Sequence, residues 1–138
     1  MKGLRVTAIL YGLAIAAHTA DHLRRGIDAI TPEVFWSGIA ATLLAALAIG
    51  FALAANRYAA PLAAFVGFTH AIGITAVHVL PRWSAFSDPF PGNDVAPISW
   101  VVVSLEIAAS LAFGIAGMRA LSSNPRGESF PATKPAVH

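Results

Sequence analysis

The sequence predicts an all-α membrane protein: four transmembrane helices in an up-down-up-down bundle, with both termini cytoplasmic. Three observations carry this expectation. The 138 residues are 57% hydrophobic and only 12% charged, where a soluble domain carries about 25% charged residues. Mean hydropathy is correspondingly high, at +0.67. The apolar residues fall into four runs, residues 6–23, 34–55, 59–80 and 98–121, each near the ~20 residues that carry a helix across ~30 Å of hydrocarbon. The Lys and Arg residues gather at the ends of those runs, as membrane-flanking charges do.

The first span runs into His18-Thr19-Ala20-Asp21-His22-Leu23-Arg24-Arg25. Lys2 and Arg5 ahead of it resemble the start of a secretory signal. The run closes on His and Asp instead of a small-residue cleavage motif, so it is read as a retained span. Thr31-Pro32-Glu33 supplies a cap and first turn for the second span, and Asn56-Arg57-Tyr58 forms a tight turn into the third. The longest connection, residues 81–97, holds Pro81, Pro89, Pro91 and Pro97 together with Trp83, Phe86 and Phe90. Its aromatics are read as interfacial anchors, with a cover over the bundle mouth as the alternative. Residues 122–138 are rich in Pro, Ser and charge and read as a disordered cytoplasmic tail.

Orientation follows from the basic residues near the spans. The N-terminus, the second turn and the tail hold Lys2, Arg5, Arg57, Arg119, Arg126 and Lys134. The other two connections hold Arg24, Arg25 and Arg82. The positive-inside rule then places both termini in the cytoplasm of a multi-pass plasma-membrane protein. Packing is expected between spans two and three, through small residues at spacing four: Gly38, Thr42, Ala46, Gly50 and Ala54 on one, Ala59, Ala63, Gly67, Ala71 and Thr75 on the other.

Function rests on a polar constellation. His18, Asp21, His22 and Arg25 are spaced i, i+3, i+4 and i+7, which puts them on one helical face. His70, His78 and Glu106 lie within later spans. Counting ~1.5 Å per residue from the outer ends, His22 and His78 share a shallow level, while His18, Glu106 and His70 share a deeper one about 10–15 Å in. Glu106 shares its face with Ser99, Ser110 and Gly117 and is read as inward, since a carboxylate is costly in hydrocarbon and marks a site or pathway. At 100° per residue, His78 lies about 20° from Ala71 and His70 about 100° from it. This favours His78 with the span-one pair, and His70 with Glu106.

Neutral imidazole ligates copper, iron and zinc. The expected metal ligands are His18, Asp21, His22, His78 and Glu106. A haem held by His18 and His70, or by His22 and His78, is the second cofactor reading. A proton or ion pathway through Glu106 and a non-catalytic accessory subunit are the alternatives without a cofactor. The four-span plan with inward His and Glu looks like that of many small bacterial membrane proteins, including redox carriers and accessory subunits. The absence of Cys removes thiolate chemistry. No basic block points to nucleic acid, and no Ser-His-Asp set or phosphate loop points to soluble-type catalysis. An enzyme acting on a lipid or quinone is the remaining catalytic reading. The expected surroundings are the lipid bilayer and a homo-oligomer or larger membrane complex.

Overall fold

A computed structural model describes residues 2–123; the tail expected to be disordered lies outside them from residue 124 onward. Among the described residues there are four helices long and apolar enough to cross a membrane. Helix α1 spans Lys2–Arg25, α2 Pro32–Leu53, α3 Ala59–Ile74 and α4 Pro97–Ser122. A five-residue π turn, Thr75–Val79, prolongs α3, and a short 3-10 turn, Ile27–Ala29, links α1 to α2.

Local chemistry sets the boundaries. His22, Arg24 and Arg25 occupy the last turn of α1, where cations complement the helix dipole. The helix then stops at Gly26, whose φ of 95° suits a residue without a Cβ. Thr31 caps α2 by accepting a hydrogen bond from the Val34 amide at 3.2 Å, with Pro32 in the first turn. Asn56 forms an Asx turn, its side-chain oxygen accepting from the Tyr58 amide at 2.9 Å. Leu80 is extended, as a residue before proline must be, and ends the third helix.

The π turn was not foreseen. The Thr75 hydroxyl donates to the Ala71 carbonyl at 2.7 Å, and the Leu80 amide reaches back five residues to the Thr75 carbonyl at 3.1 Å. Such back-bonding perturbs a helix, and single π turns recur at functional sites. This one carries His78.

Close packing joins α3 to α4, which corrects the expectation for spans two and three. A Cβ added at Gly67 would collide with the Gly114 backbone and lie 2.6 Å from the Ser110 carbonyl. One added at Gly117 would lie 2.5 Å from the Ala64 amide and 2.7 Å from the Ala60 carbonyl. Ala59, Ala63, Gly67 and Ala71 are buried, whereas Gly38, Thr42, Ala46, Gly50 and Ala54 on α2 are all exposed. The α3 row is matched by Ser110, Gly114 and Gly117 of α4, and backbones approach closely only where both helices are small. Helix α2 leans on the core through Ala45, Ala48 and Ala52; nearer its start only Val34 is buried. Large apolar side chains point outward, with Leu13, Leu43, Phe65 and Ile72 between 60% and 69% exposed. A membrane solvates such a surface; water would not.

Residues 81–96 fold back over the end of the bundle. The Asp88 amide donates to the Val77 carbonyl at 3.0 Å and the Phe90 amide to the His78 carbonyl at 2.8 Å. Phe90 is buried against His78 and Trp100, with the Arg25 guanidinium over its face. Trp83 and Phe86 remain exposed. Phe90 therefore covers the bundle, while Trp83 and Phe86 lie at the surface of the connection.

Candidate metal centre

Three histidines converge where α1 ends. His18 and His22 are one turn apart on α1, with ring centroids 4.7 Å apart. The π turn brings His78 to 4.9 Å from His18 and 5.4 Å from His22. Each ring offers one nitrogen such that all three lie within 4.8 Å of one another, so this cluster can hold a metal ion. A tetrahedral ion with bonds of about 2.0 Å sets ligand nitrogens about 3.3 Å apart, so closure requires shifts of up to about 1.5 Å. Rotation about χ1 and χ2 covers such a distance.

The hydrogen bonds determine which nitrogens are free. His18 Nδ1 bonds Glu106 Oε2. The acceptor is a carboxylate, so the ring donates from Nδ1 and the neutral tautomer leaves a lone pair on Nε2. His18 Nε2 is buried and has no partner, and so is His22 Nδ1. His78 Nδ1 donates to the Asp88 carbonyl at 3.0 Å, with Asp88 Oδ2 3.5 Å away. That bond likewise leaves its Nε2 as the lone-pair nitrogen. Buried polar atoms normally find partners, and two orphaned imidazole nitrogens beside a third free one form a donor set in want of a cation. Ligating histidines commonly give their other N–H to a carboxylate or carbonyl, as His18 and His78 do.

The remaining expected residues lie around this cluster. Glu106 sits behind His18, and its second oxygen accepts from His70 Nε2 at 3.1 Å. The Tyr11 hydroxyl donates to His70 Nδ1. The result is one buried chain, Tyr11–His70–Glu106–His18, drawn from three helices. With both its oxygens engaged, Glu106 orients a ligand instead of joining the set of free donors. Asp21 turns to Arg24, whose Nε and Nη2 donate to its Oδ1 at 3.0 and 2.7 Å; the same Nη2 also reaches Ser99 Oγ on α4 at 2.9 Å. Its Oδ2 is buried without a partner, but Asp21 is absent from the converging group. The haem pairs do not fit this geometry. His18 and His70 share one carboxylate, and the His22 and His78 rings are nearly in contact, so neither pair brackets a macrocycle.

Sequence reasoning passed over Asp88, Tyr11 and the cavity beside the cluster. Asp88 bonds Arg25 through both oxygens at 2.9 and 3.0 Å and His78 through its backbone, so it ties the long connection to α1 and α3. Nothing local marks it, because its partners lie 63 and 10 residues away. Tyr11 did carry a signal: it precedes His18 by seven residues and so lies on the same face. The cavity, of about 560 Å³, is lined by the three histidines, His70 and Glu106 and otherwise by largely apolar residues of α1, α2 and α3. Comparison with protein-family models, curated proteins and solved structures finds no match to this chain.

Proposed function

We propose that this chain is a multi-pass plasma-membrane protein that holds one transition-metal ion through His18, His22 and His78. Its four spans run up-down-up-down with both termini cytoplasmic, so the centre lies near the outer face. The observation that carries the reading is the convergence of three imidazoles with His18 Nε2 and His22 Nδ1 buried and unpartnered. An all-imidazole set suits copper, iron or zinc. Three protein ligands leave a coordination position open, the arrangement of reactive rather than purely structural centres.

The test is elemental analysis of protein purified in mild detergent. One equivalent of metal is expected in the wild type, and its loss in the His18→Ala/His22→Ala double variant. Unchanged stoichiometry in that variant overturns the proposal.

A second reading is favoured by the Tyr11–His70–Glu106–His18 chain, which links the cluster to the core by proton-bearing groups. Polar chains of this kind serve proton movement in membranes. Proton flux into liposomes that survives Glu106→Gln unchanged excludes it.

A further inference from the structure

The cavity beside the histidines is not needed to hold an ion. Its walls come from residues 15–23 of α1, 34–44 of α2 and 66–78 of α3, so along α3 it extends about 18 Å, more than half of a membrane span. At about 560 Å³ it falls within the range of sites for drug-sized molecules. It exists because α2 stands away here: Gly38 and Thr42, the upper part of its small-residue row, line the space instead of packing on α3.

Its chemistry narrows the occupant. Lying between membrane-length helices and lined mostly by apolar side chains, it suits a lipid-soluble occupant. No Lys or Arg lines it, and the nearby Arg24 and Arg25 are paired with Asp21 and Asp88, so no side chain offers an anionic head a counter-charge. The bound ion is the one cation such a head would meet, and Glu106, one imidazole away, already offsets part of its charge. Glu106 also has a hydrogen bond on each oxygen, from His18 and His70, and a cationic head would face the ion itself. A neutral head fits these surroundings. Phe35, Trp83 and Phe86 offer aromatic faces, which favour a planar ring. His18 is 95% buried, given its 5% exposure, and its Nε2 has no protein partner. As that nitrogen is a ligand of the proposed ion, the polar end of the occupant belongs beside the ion.

We propose that this cavity binds a neutral, lipid-soluble ring molecule of the quinone or quinol class, with a ring oxygen at the open position of the metal. The inference rests on the metal reading above and extends it to the molecule the centre meets. The polar end faces His18, His22 and His78, and the ring lies against the aromatic wall.

The test uses decylubiquinone and the purified, metal-loaded protein in detergent. Binding is read as saturable quenching of tryptophan fluorescence, and Trp83 is the reporter because it lines the cavity. Metal content is measured on the same samples, so failure of the metal reading is seen separately as missing metal. Gly38 and Gly73 both line the cavity and have nothing within 4 Å of an added Cβ, so Gly38→Leu/Gly73→Leu fills the cavity without forcing the backbone. Saturable quenching is expected in the wild type, with a smaller amplitude in Trp83→Phe, in which Trp36 and Trp100 remain. A weakening of about tenfold or more is expected in the glycine double variant, with metal content unchanged, as two added side chains occupy space the ring would take. Unchanged affinity in that variant overturns the proposal. So does absence of saturable quenching in metal-loaded wild type. Equal competition by decylbenzene, which has no oxygen, overturns recognition of the ring head.

Discussion

Glu106→Gln is the most informative single change at the centre. Glu106 accepts from His18 Nδ1 on one oxygen and from His70 Nε2 on the other. An amide of the same shape has one acceptor and one donor end. If its oxygen stays toward His18, the ligand tautomer survives and the NH₂ faces His70 Nε2. His70 then moves its proton to Nδ1 and donates to the Tyr11 hydroxyl, which accepts as readily as it donates. The hydrogen-bond count is conserved, and only the negative charge is lost. The loss therefore falls on ligand basicity and on compensation of the bound cation. Removing such an outer partner weakens metal affinity by about 10–100-fold, or about 1.4–2.7 kcal/mol. The assay is a chelator competition titration in detergent, comparing Kd and saturating stoichiometry. One equivalent of metal should still bind, more weakly, while Tyr11→Phe alone should change Kd little. An unchanged Kd in Glu106→Gln would show that the carboxylate does not support the metal, and the reasoning would fail.

Other consequences are also measurable. Gly67→Leu should lower the thermal stability of the detergent-solubilised protein, at a cost of about 1–3 kcal/mol or more because its neighbours are backbone atoms of α4. Gly50→Leu, with nothing within 4 Å, should leave the melting temperature unchanged; equal losses in the two would refute the α3–α4 packing argument. Asp88→Ala removes a half-buried bidentate partner of Arg25 and should cost about 1–3 kcal/mol. It should also weaken metal binding, whereas Asp94→Ala, at an exposed position, should do neither. Metal competes with protons for the imidazole nitrogens, so affinity should fall as pH is lowered; a Kd that does not weaken on acidification while the protein stays folded would argue against a histidine set.

Much of the local architecture was legible in the chain. Hydrocarbon leaves no partner for an unpaired backbone group, so each long apolar run had to be a helix. Thr31-Pro32, the Asn56 turn, Leu80-Pro81 and Gly26 ended or began those helices through one or two residues of local geometry. His18 and His22 share a face because four residues is close to one helical turn. The inward face of α4, with Ser99, Glu106, Ser110 and Gly117 buried, followed from the same periodicity and from the cost of a charge in lipid.

Tertiary structure decided the rest, because those outcomes depend on which surfaces fit and not on any one stretch. Two rows of small residues looked equivalent in sequence, yet only the α3 row found a partner of matching shape, on α4. The α2 row was left to line a cavity and face outward. His78 joined the α1 pair through a turn of different pitch at Thr75, which a count at 100° per residue does not contain. Asp88 became a partner of both Arg25 and His78 only when the long connection folded over the bundle. The sequence by itself therefore determined four membrane-length helices and one histidine pair. Packing, which depends on shape complementarity between distant segments, turned that pair into a three-histidine centre and opened a cavity beside it.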